Sequence, residues 1–100
     1  MNEVEIRGWL ARNYVDSLLL TSEEVDHITM CLYRISRWYF EDYPLGDFLR
    51  AVVKNDFTGA CLRADSINQK VLHVYAMFCM NHIGHDYQDK ANGRGRRAEK

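Results

Sequence analysis

One hundred residues, 47% hydrophobic and 27% charged, suffice for one domain with one core and exclude a chain too polar to fold. No apolar run reaches the roughly 20 residues that span a bilayer, and the opening MNEVEIRGW has acidic residues where a secretory leader is basic, so the expected setting is cytoplasmic, without a membrane. The net charge of -1 hides an asymmetry: residues 1–89 carry eight basic and thirteen acidic side chains, a balance of -5, while Lys90, Arg94, Arg96, Arg97 and Lys100 against Glu99 leave the end of the chain at +4.

Asn2 and Glu5 have the spacing of a capping box, and Ile6, Trp9, Leu10, Tyr14 and Leu18 follow at helical intervals, which predicts a helix from Glu3 to Leu18. Thr21 and Glu24 repeat the box ahead of Val25, Ile28, Leu32, Ile35 and Tyr39. That run predicts a long helix from Ser22 to about Asp42, with Arg34 lying across the ring of Trp38 one turn on. Pro44 stops it, Gly46 allows the turn, and Asp47 is placed to cap a short third helix carrying Phe48, Leu49, Val52 and Val53.

The polar pair Asn55-Asp56 then reads as the end of one helix and the cap of the next, which would hold Phe57, Ala60 and Cys61. Asp65, with Asn68 three residues on, opens a fifth helix whose inner face is Ile67, Val71, Val74, Tyr75 and Phe78. Phe48, Leu49, Val52, Val74, Tyr75 and Phe78 are expected to form one core. After Ile83 the apolar periodicity stops, and Gly, Asn and charge take over. The expected fold is therefore all-α: a single compact bundle of about five helices over residues 1–83, followed by a flexible, disordered basic tail over 84–100.

Chemistry is sparse. Cys31, Cys61 and Cys79 are odd in number and set in apolar sequence, as reduced buried thiols are. Cys79, His82 and His85 recur every three residues and His27 stands four before Cys31, yet neither group has the paired short spacings of a zinc knuckle. No metal or cofactor is expected. Glu23-Glu24 and Glu41-Asp42 are adjacent pairs, which on a helix point about 100 degrees apart and do not face one another, and no phosphate-cradling loop is present. An enzyme is not expected. The basic stretch GRGRR, extended by Arg34, Arg37 and Arg50 among aromatics, leaves nucleic-acid binding open as an alternative.

One stretch carries a resemblance. Pro44, Gly46, Phe48, Leu49, Ala51, Val52, Asn55, Asp56, Ala60, Arg63, Ala64, Asp65 and Asn68 follow the pattern Pro-x-Gly-x-Phe-Leu-x-Ala-Val, Asn-Asp, Ala, Arg-Ala-Asp, Asn. This segment resembles a group of small helical proteins encoded by bacteriophages and integrated mobile elements, over about a third of the chain and not over the first 43 residues. The resemblance implies a host-takeover factor with no catalytic residue to carry over. It points to the anti-CRISPR proteins, which bind surveillance complexes and block DNA capture. The partner it implies is a host protein complex, with a type I CRISPR surveillance complex as first candidate; the alternative is a small phage regulator that uses the basic tail on nucleic acid. An acidic body suits a target lined with Lys and Arg, and makes Glu23, Glu24, Asp26, Glu41 and Asp42 on the long helix the expected contacts. Asp47, Asn55, Asp56, Arg63, Asp65 and Asn68 are the motif and capping positions.

Overall fold

The computed structural model describes residues 2–54, 56, 58–60, 68, 71–84 and 86–93, and among them the chain is all helical, with no strand. Helix α1 spans Glu3–Leu10 behind a complete capping box. The Asn2 Oδ1 accepts the Glu5 amide at 2.8 Å and the Glu5 Oε1 accepts the Asn2 amide at 2.9 Å, so two amides that a helix start leaves orphaned are both satisfied. Ile6, Trp9 and Leu10 are buried.

The α-helical path does not run on to Leu18 as expected. Ala11–Val15 is a π-helical turn, and just beyond it the Leu20 amide donates to the Val15 carbonyl at 3.0 Å. Leu10, Tyr14 and Leu18 advance in steps of four, which drift about 40 degrees per step around an ordinary α-helix. The wider turn absorbs that drift and keeps Tyr14 and Leu18 packed against the core. Leu19, at φ 53, then turns the chain with its side chain outward.

Helix α2, Ser22–Glu41, has the second capping box: Thr21 Oγ1 accepts the Glu24 amide at 3.1 Å and Glu24 Oε1 accepts the Thr21 amide at 2.9 Å. Its buried face of Ile28, Cys31, Leu32 and Ile35 lies on α1, and Asp42, in the left-handed region at φ 61, ends it. Helix α3, Asp47–Val53, corrects one expectation. Gly46 is its N-cap and Asp47 its first helical residue, so Asp47 acts through its charge in the first turn rather than as the cap.

Asp56 does cap: its Oδ1 accepts the Gly59 amide at 2.9 Å and its carbonyl the Ala60 amide at 2.8 Å, which starts the helical turn at 58–60. Asn55, Phe57, Cys61, Arg63, Ala64, Asp65 and Ile67 lie outside the described residues. Asn68, expected beside the Asp65 cap, has a partner in the core. It is buried, and its Oδ1 accepts the hydroxyl of Tyr75, because a tyrosine with no exposure needs an acceptor inside the protein. Val71 then interrupts the helical path before helix α4, Leu72–His82, which carries Val74, Tyr75, Phe78 and Cys79 inward.

One core joins these elements. Leu49, Val74, Tyr75 and Phe78 are buried in it as expected, while Phe48 and Val52 are half-buried at its edge. Trp9 meets Phe78 edge-on at 5.6 Å and Phe48 meets Tyr75 at 5.7 Å, so α1, α3 and α4 share aromatic contacts.

Of the tail expected from residue 84, Gly84 and residues 86–93 are folded. Helix α5, Tyr87–Ala91, packs on α3, Tyr87 and Ala91 touch the core, and the Tyr39 hydroxyl donates to Asp86. Gly84 makes this possible, since a Cβ there would collide with the Tyr39 hydroxyl oxygen. The anchors are polar and distant in sequence, which is why apolar periodicity missed them. Arg94 to Lys100, with the three arginines of GRGRR, lie outside the described residues.

Candidate functional site

Helix α2 is 20 residues long, about 30 Å, and it separates the five acidic residues singled out in the sequence. Glu23, Glu24 and Asp26 stand at its start, Glu41 and Asp42 at its end, so they do not form one patch. Glu24 belongs to the capping box. Asp26 pairs with Arg7 at 2.5 Å, Glu41 with Arg37 at 3.2 Å and Asp42 with Lys90 at 2.6 Å. Their carboxylates remain largely exposed, so solvent screens these pairs and leaves the charge visible to a partner. Glu23 is exposed in the first turn of α2.

The end of α2 holds more structure than its start. Asp42 replaces the glycine that usually closes a helix, and the last carbonyls need a donor. Lys90 supplies it: its Nζ donates to the carbonyls of Trp38 at 3.0 Å and Tyr39 at 2.8 Å and to Asp42. The same ammonium lies 5.3 Å from the Trp38 ring centre and 5.5 Å from that of Tyr39. It is Lys90, not Arg34, that sits over Trp38, because the helix end offers an ammonium three acceptors that the exposed Arg34 position lacks. No local pattern around Lys90 announces this contact. The one available signal was a helix ending on Asp42 without a glycine.

Two hollows flank the turn at Tyr43 and Pro44. The outer one, about 340 Å³, is lined by Met30, Tyr33, Arg34, Arg37, Tyr43 and Pro44. Arg37 stacks at 3.8 Å on the Tyr43 ring and stands 5.7 Å from that of Tyr33, while Met30 and Tyr43 are about half exposed. The inner one, about 350 Å³, lies between α2, α3 and α5 against Trp38, Leu45, Arg50, Val53, Lys54 and Lys90. Asp47 and Asp56 border a smaller hollow of about 140 Å³ with Arg50 and Lys54.

The cysteine and histidine positions point inward. Cys31 and Cys79 are buried, with His27 Nε2 at 3.7 Å from Cys31 Sγ, and burial pushes the Cys79 thiol up to about 12, where it is unreactive at neutral pH. His82 is edge-on to Trp9 and tilted against Phe78, both at 5.3 Å, and desolvation there lowers its pKa. Among the described residues no cluster of His, Cys, Asp and Glu could hold a metal ion, and no helix is long and apolar enough to cross a membrane. His85 and Cys61 lie outside the described residues. Comparison with family models, with curated proteins and with solved structures finds no match.

Proposed function

We propose that the chain is a non-enzymatic binding protein that engages a host protein complex through the outer hollow at the end of α2, with a type I CRISPR surveillance complex as its target and blocked DNA capture as the result. The outer hollow carries this reading. Met30, Tyr33, Arg37 and Tyr43 are the side-chain types that anchor protein interfaces, and the stacked Arg37 and Tyr43 hold each other in place, which lowers the entropy a partner must remove. The acidic balance of residues 1–89 adds long-range attraction to a target lined with Lys and Arg. The choice of target rests on the sequence resemblance between Pro44 and Asn68.

Lys90 weakens the nucleic-acid alternative, because the ammonium counted with the basic tail is engaged on α2. The test is binding to purified surveillance complex without DNA, followed by a DNA-capture assay. The parent should bind and inhibit. Tyr43→Ala should weaken binding by at least about tenfold, as loss of an anchor does, with an unchanged melting temperature. Glu23→Lys, which breaks no internal pair, should slow association at low salt only. A parent that ignores the complex yet binds DNA or RNA alone with a steep salt dependence sinks the reading.

A further inference from the structure

The inner hollow has a chemistry of its own. One wall is the C-terminal part of α3 and the residue after it, where Arg50 and Lys54 are one turn apart and share a side. Arg50 is held in place by a bond from its Nη2 to the Leu45 carbonyl at 3.1 Å, which leaves the rest of its fork free. Among the described residues neither Arg50 nor Lys54 has a carboxylate partner. Lys90 has its donors filled, and its charge is offset by Asp42. Asp47 and Asp56, in the adjoining smaller hollow, face the other side of Arg50 and Lys54 without pairing to them. Trp38 and Pro44 also line the hollow, with the buried Leu45 and Val53 and the exposed Asp42 carboxylate that pairs with Lys90.

We propose that this inner hollow binds a small organic phosphate with a flat apolar body, of the size of a nucleoside monophosphate. Two cations on one wall match a dianionic phosphate better than a single carboxylate charge, and the arginine fork donates to two of its oxygens side by side. The body then lies against Trp38 and Pro44. A volume of about 350 Å³ lies at the small end of the range for ligand pockets, which fits one nucleotide and not a larger cofactor. This site does not depend on the partner reading, although the two hollows share Tyr43 and Pro44.

An amide NMR titration with adenosine 5′-monophosphate, adenosine and inorganic phosphate tests it on the full chain, with the Trp38 indole as a side-chain probe. The monophosphate should give saturable shifts at Trp38 and along residues 45–54, and adenosine and inorganic phosphate should each bind at least about tenfold more weakly, since each offers one half of the recognition. Arg50→Gln with Lys54→Gln should weaken the monophosphate by at least about tenfold. If that pair of changes disturbs folding, Lys54→Gln alone serves, because Lys54 is exposed and has no partner to lose among the described residues. The proposal is overturned by absent or unsaturable shifts at millimolar monophosphate, by adenosine or inorganic phosphate binding as tightly, or by the folded variant binding like the parent.

Discussion

The two halves of the molecule begin their helices differently. Helices α1 and α2 each open on a reciprocal capping box, whereas α3, α4 and α5 open on Gly46, Val71 and Asp86 with no side-chain cap bond. In the first half, neighbouring residues satisfy the exposed amides, so each helix start is stable before it meets the core. Apart from the local cap of Asp56, the support in the second half comes from far along the chain: Tyr39 on Asp86, Lys90 on the end of α2, and α4 packed across Trp9 and Phe48. Helices without local caps form when tertiary contacts form, and the second half depends on the first.

That dependence is broken most severely at Phe78, which is fully buried between Trp9 and His82. Phe78→Ala should cost about 3 to 5 kcal/mol, against a total of about 5 to 15 for a domain of this size, and should remove α4 and α5 before α2. Hydrogen exchange measures this directly. Equal loss of protection in α2 and α4 would mean that the halves unfold as one.

Lys90→Met keeps the stem and removes the ammonium, so it isolates the polar contacts to α2. The expected loss is about 1.5 to 3 kcal/mol, the range for hydrogen bonds made by a charged group, read as a lower urea midpoint with an unchanged slope. Deleting Lys90 to Lys100 should therefore destabilise the protein. A tail without an anchor would have been dispensable.

Thr21→Ala removes one side of the second capping box and should cost about 0.5 to 2 kcal/mol, while Asp56→Ser, which keeps a capping oxygen, should be nearly silent. The Thr21 loss should be spread over both halves. If it appeared only in the exchange of α2, the second half would be independent of the first.

The smallest expected effect is on pH dependence. His82 is held neutral by desolvation between Trp9 and Phe78, and its folded pKa lies below the ordinary imidazole value of about 6.5. The unfolded chain takes up the proton first on acidification, so the contribution of His82 is complete above about 6.5 and is lost as pH falls through the lower folded value. Melting temperature should fall less between about pH 7 and 5 in His82→Gln than in the parent. A parallel fall in both proteins would show that the ring is not buried from solvent.

Sequence alone determined what depends on neighbours. The capping boxes at Asn2 and Thr21, the reach of α2 from Ser22 to Glu41, the stop before Pro44, the cap at Asp56 and the inward faces of α2 and α4 all follow from residues within a turn or two of each other. The tertiary structure decided the rest. It placed a π turn where steps of four had to stay on the core, gave the Tyr75 hydroxyl a buried acceptor in Asn68, and anchored Asp86 and Lys90 on α2. It also brought Arg37 onto Tyr43 and set Arg50, Lys54 and Trp38 around one hollow, which made two hollows from residues with no shared motif. The reason is physical: helix propensity and capping act over three or four residues, whereas a buried hydroxyl or an open helix end takes whichever partner the packed chain brings near.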